Sequence, residues 1–152
     1  YKANVIALDH KEGRVNDFFI KRRFLKNINV IPLGFALKKC LKVLGNNEIL
    51  AVLGDRDFSK NGIEVDFFNK KAIMPKGPAV LKLKTGAAVI GAFLIRDPDN
   101  SFTFYFQKPK ELKIESFNED AVKKLTESYL EMIEGVVKKY PDQWYVFRKI
   151  WG

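Results

Sequence analysis

The sequence predicts an α/β fold with a largely parallel sheet, and three observations carry that expectation. Short apolar runs alternate with helix-forming stretches up to residue 53, in the order strand, helix, strand, helix, strand. Such alternation implies crossover connections between parallel strands. A long stretch of helical periodicity behind a capping residue stands near the C-terminus, at "NEDAVKKLTESYLEMIEGVVKKY". The 152 residues suit one domain, and a 47% apolar composition with 13 Phe can fill its core.

The elements follow in chain order. "NVIAL" (4–8) reads as a short buried strand that leaves through "DHKEG" into a helix near residues 14–25. There Val15, Phe18 and Phe19 keep the i, i+3, i+4 spacing of a core-facing stripe. Arg22 and Arg23 prolong that face, so at least one guanidinium is expected to point towards the body of the protein. "NVIPL" (29–33) is a second strand, Phe35 to Leu44 a basic amphipathic helix stopped by Gly45, and "EILAVL" (48–53) a third strand, with Ile49 to Leu53 an unbroken apolar run. "GIEVDFF" (62–68) is a strand or extended segment. In "MPKGPAVLKLKTGA" Pro78 suits a helix start and Gly86 its end. "AVIGAFLI" (88–95) is a further buried strand, and "SFTFYF" (101–106) is expected to pair back on it across "RDPDN". In the last helix Asn118 caps, Glu119 and Asp120 suit the N-terminal dipole, and Pro141 ends the run. Its apolar stripe is Val122, Leu125, Tyr129, Ile133, Val136 and Tyr140. Without a repeat or linker, residues 1–152 read as a single domain.

Composition narrows the chemistry. One cysteine, Cys40, excludes an internal disulfide and a cysteine-based metal cluster, and a single histidine, His10, excludes a site with two imidazoles. Zinc and haem are disfavoured. Lys and Arg outnumber Asp and Glu by 27 to 18, and the net charge of +9 favours acidic partners: nucleic acid, anionic lipid, a phosphorylated substrate or an acidic carrier protein. No apolar run approaches the roughly 20 residues that span a bilayer. The chain opens on Tyr1 with a strand under way, which reads as a fragment.

Four features could carry function. In "LGDRDF" the apolar run empties into Asp55, Arg56 and Asp57, where the C-terminal ends of parallel strands gather ligands. Such a triplet can hold a catalytic base or aim a guanidinium at phosphate, or it can be a surface loop tied by a local ion pair. Gly77 and Gly86 bracket a short helix whose N-terminus suits an anion, or they are turn and cap glycines. "YPDQWYVFRKIWG" interleaves aromatic and basic residues, as a stacking surface or as a segment closing the core. His10 has Val15 five positions on, so no carboxylate stands at the usual His-to-acid spacing, and it reads as a loop residue. Cys40 reads as structural.

Taken in order, "ILAVLGDRD", "GIEVDFF", "PKGPAVLKLKTGAAVIGAF" and "PDQWYVFRKIW" resemble the bacterial lipid A biosynthesis (lauroyl/myristoyl) acyltransferase family. The resemblance implies a three-layer, glycerolipid acyltransferase-like α/β fold. It implies acyl transfer from a thioester, as on acyl carrier protein, to a hydroxyl of a lipid A precursor or related phosphorylated glycolipid. No cofactor and no metal are expected. The family's histidine, with an acid five positions on, would lie upstream of these blocks. The 152 residues are thus expected to be the C-terminal two-thirds of the enzyme, soluble and inactive alone, with the parent on an anionic membrane surface at the cytoplasmic face of the bacterial inner membrane.

Residue by residue, the resemblance assigns Asp55 and Arg23 to the catalytic centre. It assigns Arg22, Arg56, Asp57, Gly77 and Thr85 to substrate binding. "VFRKIWG" lacks the histidine usual in the last block. Two rivals stand beside this reading. A nucleic-acid module is disfavoured because the lysines are dispersed over every element. A non-catalytic relative that binds a membrane surface or another anionic partner is the alternative.

Overall fold

The computed structural model describes residues 1–152 except Asp9, Gly34, Phe35, 58–60, Glu115, Arg148 and Gly152, and the side chain of Ala36. The start of the second helix expected at Phe35 lies outside the described residues. The chain forms two compact units, Tyr1–Leu53 and Gly54–Gly152.

The first unit runs β1 (Ala3–Ala7), α1 (Gly13–Phe24), β2 (Ile28–Pro32), α2 (Ala36–Gly45) and β3 (Ile49–Ala51). The strands lie in the order β2-β1-β3, and both pairings are parallel, with Val5 opposite Val30 and Ala3 opposite Ile49. This is the sheet that the alternation predicts. Its centre holds a polar ladder. The Asn4 side chain is buried in β1, where Nδ2 donates to Glu48 Oε2 (2.9 Å) and the Ile49 carbonyl (3.1 Å), while Oδ1 accepts from Asn29 Nδ2 (3.2 Å). A buried amide satisfied on both ends resists a slip of register, since a slip would strand it without partners. Cys40 of α2 is buried, and burial raises its thiol pKa, so it is a neutral core group.

Two expectations for this unit need correction. The stripe Val15, Phe18 and Phe19 does not face a core: no residue of α1 is buried, and Phe18 is 58% exposed. The half-buried positions of α1 are Asn16 and Arg23, seven residues apart and so on one face. Asn16 Oδ1 accepts the His10 backbone N–H (3.1 Å), which ties the polar side of the helix to the preceding loop. The run Ile49 to Leu53 is likewise not a buried strand. Pairing ends at Ala51, and Ile49 and Leu53 are exposed, because β3 lies at the edge of a three-stranded sheet.

The second unit begins with an antiparallel hairpin, β4 (Ile63–Phe67) and β5 (Lys70–Met74). The sequence did not announce β5. Its turn residues Phe68 and Asn69 both take positive φ, 54° and 58°, the mirror-image geometry that suits strand twist. A phenylalanine is unusual there. The Phe68 N–H donates to Glu134 Oε1 (2.7 Å), and its ring packs among Phe67, Trp144 and Trp151, which offsets the backbone strain. Alternate hairpin residues Val65, Phe67, Ala72 and Met74 point into the core.

There they meet α4 (Glu119–Lys139) through Tyr129, Leu130, Met132 and Ile133. The helix starts as expected, with Asn118 Oδ1 accepting the Ala121 N–H (2.8 Å), and gives way at Tyr140 to a 3-10 turn over Pro141–Gln143. Between hairpin and helix come α3 (Gly77–Thr85) and a second antiparallel ribbon, β6 (Gly91–Arg96) with β7 (Phe102–Gln107). Gly86 ends α3 with φ 70°, a left-handed cap that favours glycine. The "AVIGAFLI" segment is corrected from a buried strand to one that starts at Gly91 and buries only Ile95. A two-stranded ribbon has a single face against α4, and the outward Leu94, Phe102, Phe104 and Phe106 are exposed.

Candidate functional site

Asp55, Arg56 and Asp57 open the second unit immediately after Gly54. A Cβ on Gly54 would stand 3.4 Å from the Tyr129 ring, so the chain passes close over α4 before the charges begin. Asp55 Oδ2 forms an ion pair with Arg56, 3.2 Å from its Nε, and accepts a hydrogen bond from the indole Nε1 of Trp144 at 3.3 Å. The Arg56 guanidinium also donates through Nη1 to the Tyr145 carbonyl (3.3 Å). Neighbouring charges of opposite sign are thus locked by a segment 89 residues away in sequence. With the Asp55 side chain 19% and Arg56 30% exposed, the pair is partly withdrawn from water, where charge-assisted bonds gain strength.

Asp57 turns the other way. Its Oδ2 accepts the Gly62 N–H (3.0 Å). Gly62 must stay small: a Cβ there would lie 2.6 Å from Ile73 Cγ2 and 2.8 Å from the Met74 carbonyl oxygen. The Asp57 carboxylate is also felt by Tyr129. Burial raises the pKa of that phenol, and the Asp57 charge adds to the shift. The Tyr129 hydroxyl donates to the Pro75 carbonyl, so it holds the entry to α3 and is not a free acid.

The other candidates lie on other elements. Gly77 is the first residue of α3 and Thr85 its last, about 12 Å apart along the helix axis. The Thr85 hydroxyl donates to the Leu81 carbonyl (2.7 Å) and accepts the Ala87 N–H (3.2 Å), both parts of the helix end. Arg22 and Arg23 belong to the first unit. Their guanidinium carbons lie 6.0 Å from the Phe18 ring centre and 5.7 Å from that of Phe19, respectively. Arg22 is exposed and Arg23 half-buried. The His10 ring stacks on Phe19 with centroids 4.8 Å apart, and among the described residues no carboxylate partners it.

Sequence reasoning missed the part played by the C-terminal block. Gln143 makes two bonds to the backbone of Arg96 at the end of β6, accepting its N–H (2.8 Å) and donating to its carbonyl (2.9 Å). Trp144 and Tyr145 then hold Asp55 and Arg56. Trp144 also packs edge-on to Phe67 at 5.8 Å, and Trp151 donates to the Phe67 carbonyl (2.8 Å). The block therefore closes the core and braces the charged triplet at once. A lone Trp-Tyr pair in sequence gives no sign of the second role. Among the described residues no helix is long and apolar enough to cross a membrane.

The sequence model of the bacterial lipid A biosynthesis acyltransferase family matches residues 2–152. A phosphatidylinositol mannoside acyltransferase of Mycobacterium tuberculosis is 37% identical over 76 residues, covering 47% of this chain and 24% of that protein. A protein of the same name from Mycolicibacterium smegmatis is 26% identical over 137 residues, covering 88% of this chain and 43% of its own length. The chain spans under half the length of these curated relatives.

Proposed function

This chain belongs to the bacterial lipid A biosynthesis acyltransferase family, and from that premise we propose that the protein moves an acyl chain from a thioester to a hydroxyl of an anionic glycolipid. The observation that carries the reading is the family match across residues 2–152. The relatives named as phosphatidylinositol mannoside acyltransferases favour a phosphate-bearing, sugar-linked acceptor of that kind over a lipid A precursor. Both offer a sugar hydroxyl on a membrane-held anion.

The chemistry asks for a base to raise the nucleophilicity of the hydroxyl and for donors facing the oxyanion of the thioester carbonyl. His10, the one imidazole, has Val15 where a partnering acid would stand, and the reading takes the base from outside these 152 residues. It gives Asp55 the task of fixing the wall of the pocket, with Oδ2 held by Arg56 and Trp144. Arg23 and Arg22 meet anionic groups of substrate. Arg56, engaged by Asp55 and the Tyr145 carbonyl, keeps the wall in place, and Asp57 accepts the Gly62 N–H at the approach to β4. Gly77 and Thr85 serve by placing α3. The net charge of +9 suits an acidic carrier protein as donor and an anionic membrane surface.

The test uses protein of the relatives' length that includes these residues, labelled acyl carrier protein, and both acceptor classes separated by thin-layer chromatography. Label is expected in the mannoside acceptor, with turnover about ten- to a hundredfold lower in Arg23→Ala and Asp55→Ala. Label in the lipid A precursor alone would overturn the acceptor assignment. No labelled lipid from folded protein with acyl carrier protein or acyl coenzyme A would overturn the activity and leave the non-catalytic, anion-binding relative.

A further inference from the structure

The second unit contains a cavity of about 490 Å³, bounded by α3, the segment before β6, the segment after β7 and α4. That volume falls within the range of small-molecule sites. Among its lining residues the buried Ala79 and Leu125 and the half-buried Val89 and Leu112 make an apolar floor. Its described lining also carries the half-buried Lys82 and the exposed Lys108, Lys110 and Lys113, with one carboxylate, Glu111, among the described residues. None of these lysines forms an ion pair with a described residue.

The neutral polar groups in the wall are already engaged. The Ser128 hydroxyl donates to the Lys110 carbonyl (2.8 Å), and the Tyr129 hydroxyl donates to the Pro75 carbonyl. Without a spare side-chain hydroxyl or carboxamide among its described lining residues, the wall is poorly made to read a sugar or a base through side-chain hydrogen bonds. What it offers is apolar area next to an excess of positive charge. A ligand that satisfies both is an alkyl group ending in an anion. Tyr129 lines this cavity while its ring edge lies beneath Gly54, so one side chain separates the cavity from the Asp55 loop and makes it a second site.

We infer that this cavity binds an anionic amphiphile, its alkyl segment on the floor between α3 and α4 and its phosphate or equivalent anion among the four lysines. The inference stands apart from the acyl-transfer reading because it is tested by binding without turnover. Isothermal titration of the full chain with dodecyl phosphate below its micelle concentration should give saturable binding. Inorganic phosphate supplies the head alone and dodecyl maltoside the tail without charge, and both should bind far more weakly.

The variant Lys108→Gln/Lys110→Gln/Lys113→Gln changes only exposed side chains and should weaken dodecyl phosphate binding about tenfold or more, the loss shrinking at high salt. Val89→Trp, which fills the floor, should weaken it with the lysines intact. Equal binding of inorganic phosphate would reduce the site to surface charge. Equal binding of the maltoside would reduce it to apolar contact. An unchanged triple variant, or no saturable binding at all, would overturn the proposal, and these outcomes decide it even if Val89→Trp fails to fold.

Discussion

The indole N–H of Trp144 donates to Oδ2 of Asp55 across 3.3 Å, joining residues 89 apart in sequence. The same carboxylate oxygen holds Arg56, so the C-terminal segment fixes the acidic loop through a charged acceptor. Trp144→Phe keeps an aromatic ring against Phe67 and removes the donor; Asp55→Asn removes the charge. A double-mutant cycle on these two changes, read by urea denaturation, is expected to give a coupling energy of about 1 kcal/mol. Additive effects would mean that the contact contributes nothing.

Two glycines in the second unit lie close to their neighbours, but with different consequences. At Gly62 an added Cβ meets the Met74 carbonyl oxygen and Ile73 Cγ2, so backbone must move. At Gly91 it meets chiefly the thioether end of Met132, which can rotate away. Gly62→Ala is therefore expected to cost about 1 to 3 kcal/mol, as for overpacking against fixed atoms, and Gly91→Ala less. Thermal melts of the two variants give the ranking, and the reverse order would contradict it.

In the first unit the buried amide of Asn4 is the common partner of Asn29, Glu48 and the Ile49 carbonyl. Asn4→Ala leaves these groups partly buried without it and is expected to destabilise by about 1 to 3 kcal/mol. Asn29→Ala, at an exposed position, should have a much smaller effect. Equal losses in equilibrium unfolding would show that the ladder does not act through Asn4.

The sequence exposed this architecture unevenly, for physical reasons. The parallel sheet was legible because each strand-helix alternation is local, and α4 was legible because Asn118, its apolar stripe and Pro141 mark both ends. β5 was hidden. "NKKAIM" buries only Ala72 and Met74, and its turn uses Phe68 and Asn69 in place of the common Asn-Gly signal. The face of α1 was misjudged because periodicity shows that apolar residues share a side, not that a partner surface meets it. At the candidate site, Asp55, Arg56 and Asp57 stood out as charges after an apolar run. Their bracing by Trp144 and Tyr145 depends on tertiary pairing, for which no short window of sequence carries a signal.

Tyr129 links the acidic loop to the stability of the second unit, and its titration gives the sign of an alkaline effect. The side chain is buried, and burial first, then the Asp57 carboxylate, raises its pKa above the ordinary tyrosine value of 10.0. In the unfolded chain the phenol ionises near its ordinary value, whereas the folded state keeps it neutral. A raised folded pKa contributes stability that is fully present below about pH 10 and is lost as pH rises from there through the folded value. Wild-type unfolding free energies from urea denaturation, after correction for groups common to both proteins, are expected to fall above about pH 10 with a slope of up to about 1.4 kcal/mol per pH unit. Tyr129→Phe removes this dependence. It also removes the donor to the Pro75 carbonyl, which should cost about 1 kcal/mol at neutral pH. The variant is therefore expected to be the less stable protein at pH 7 and to lose less on alkalinisation, so the two stability curves converge. Parallel curves above pH 10 would show that Tyr129 ionises no later in the folded state than in the unfolded one.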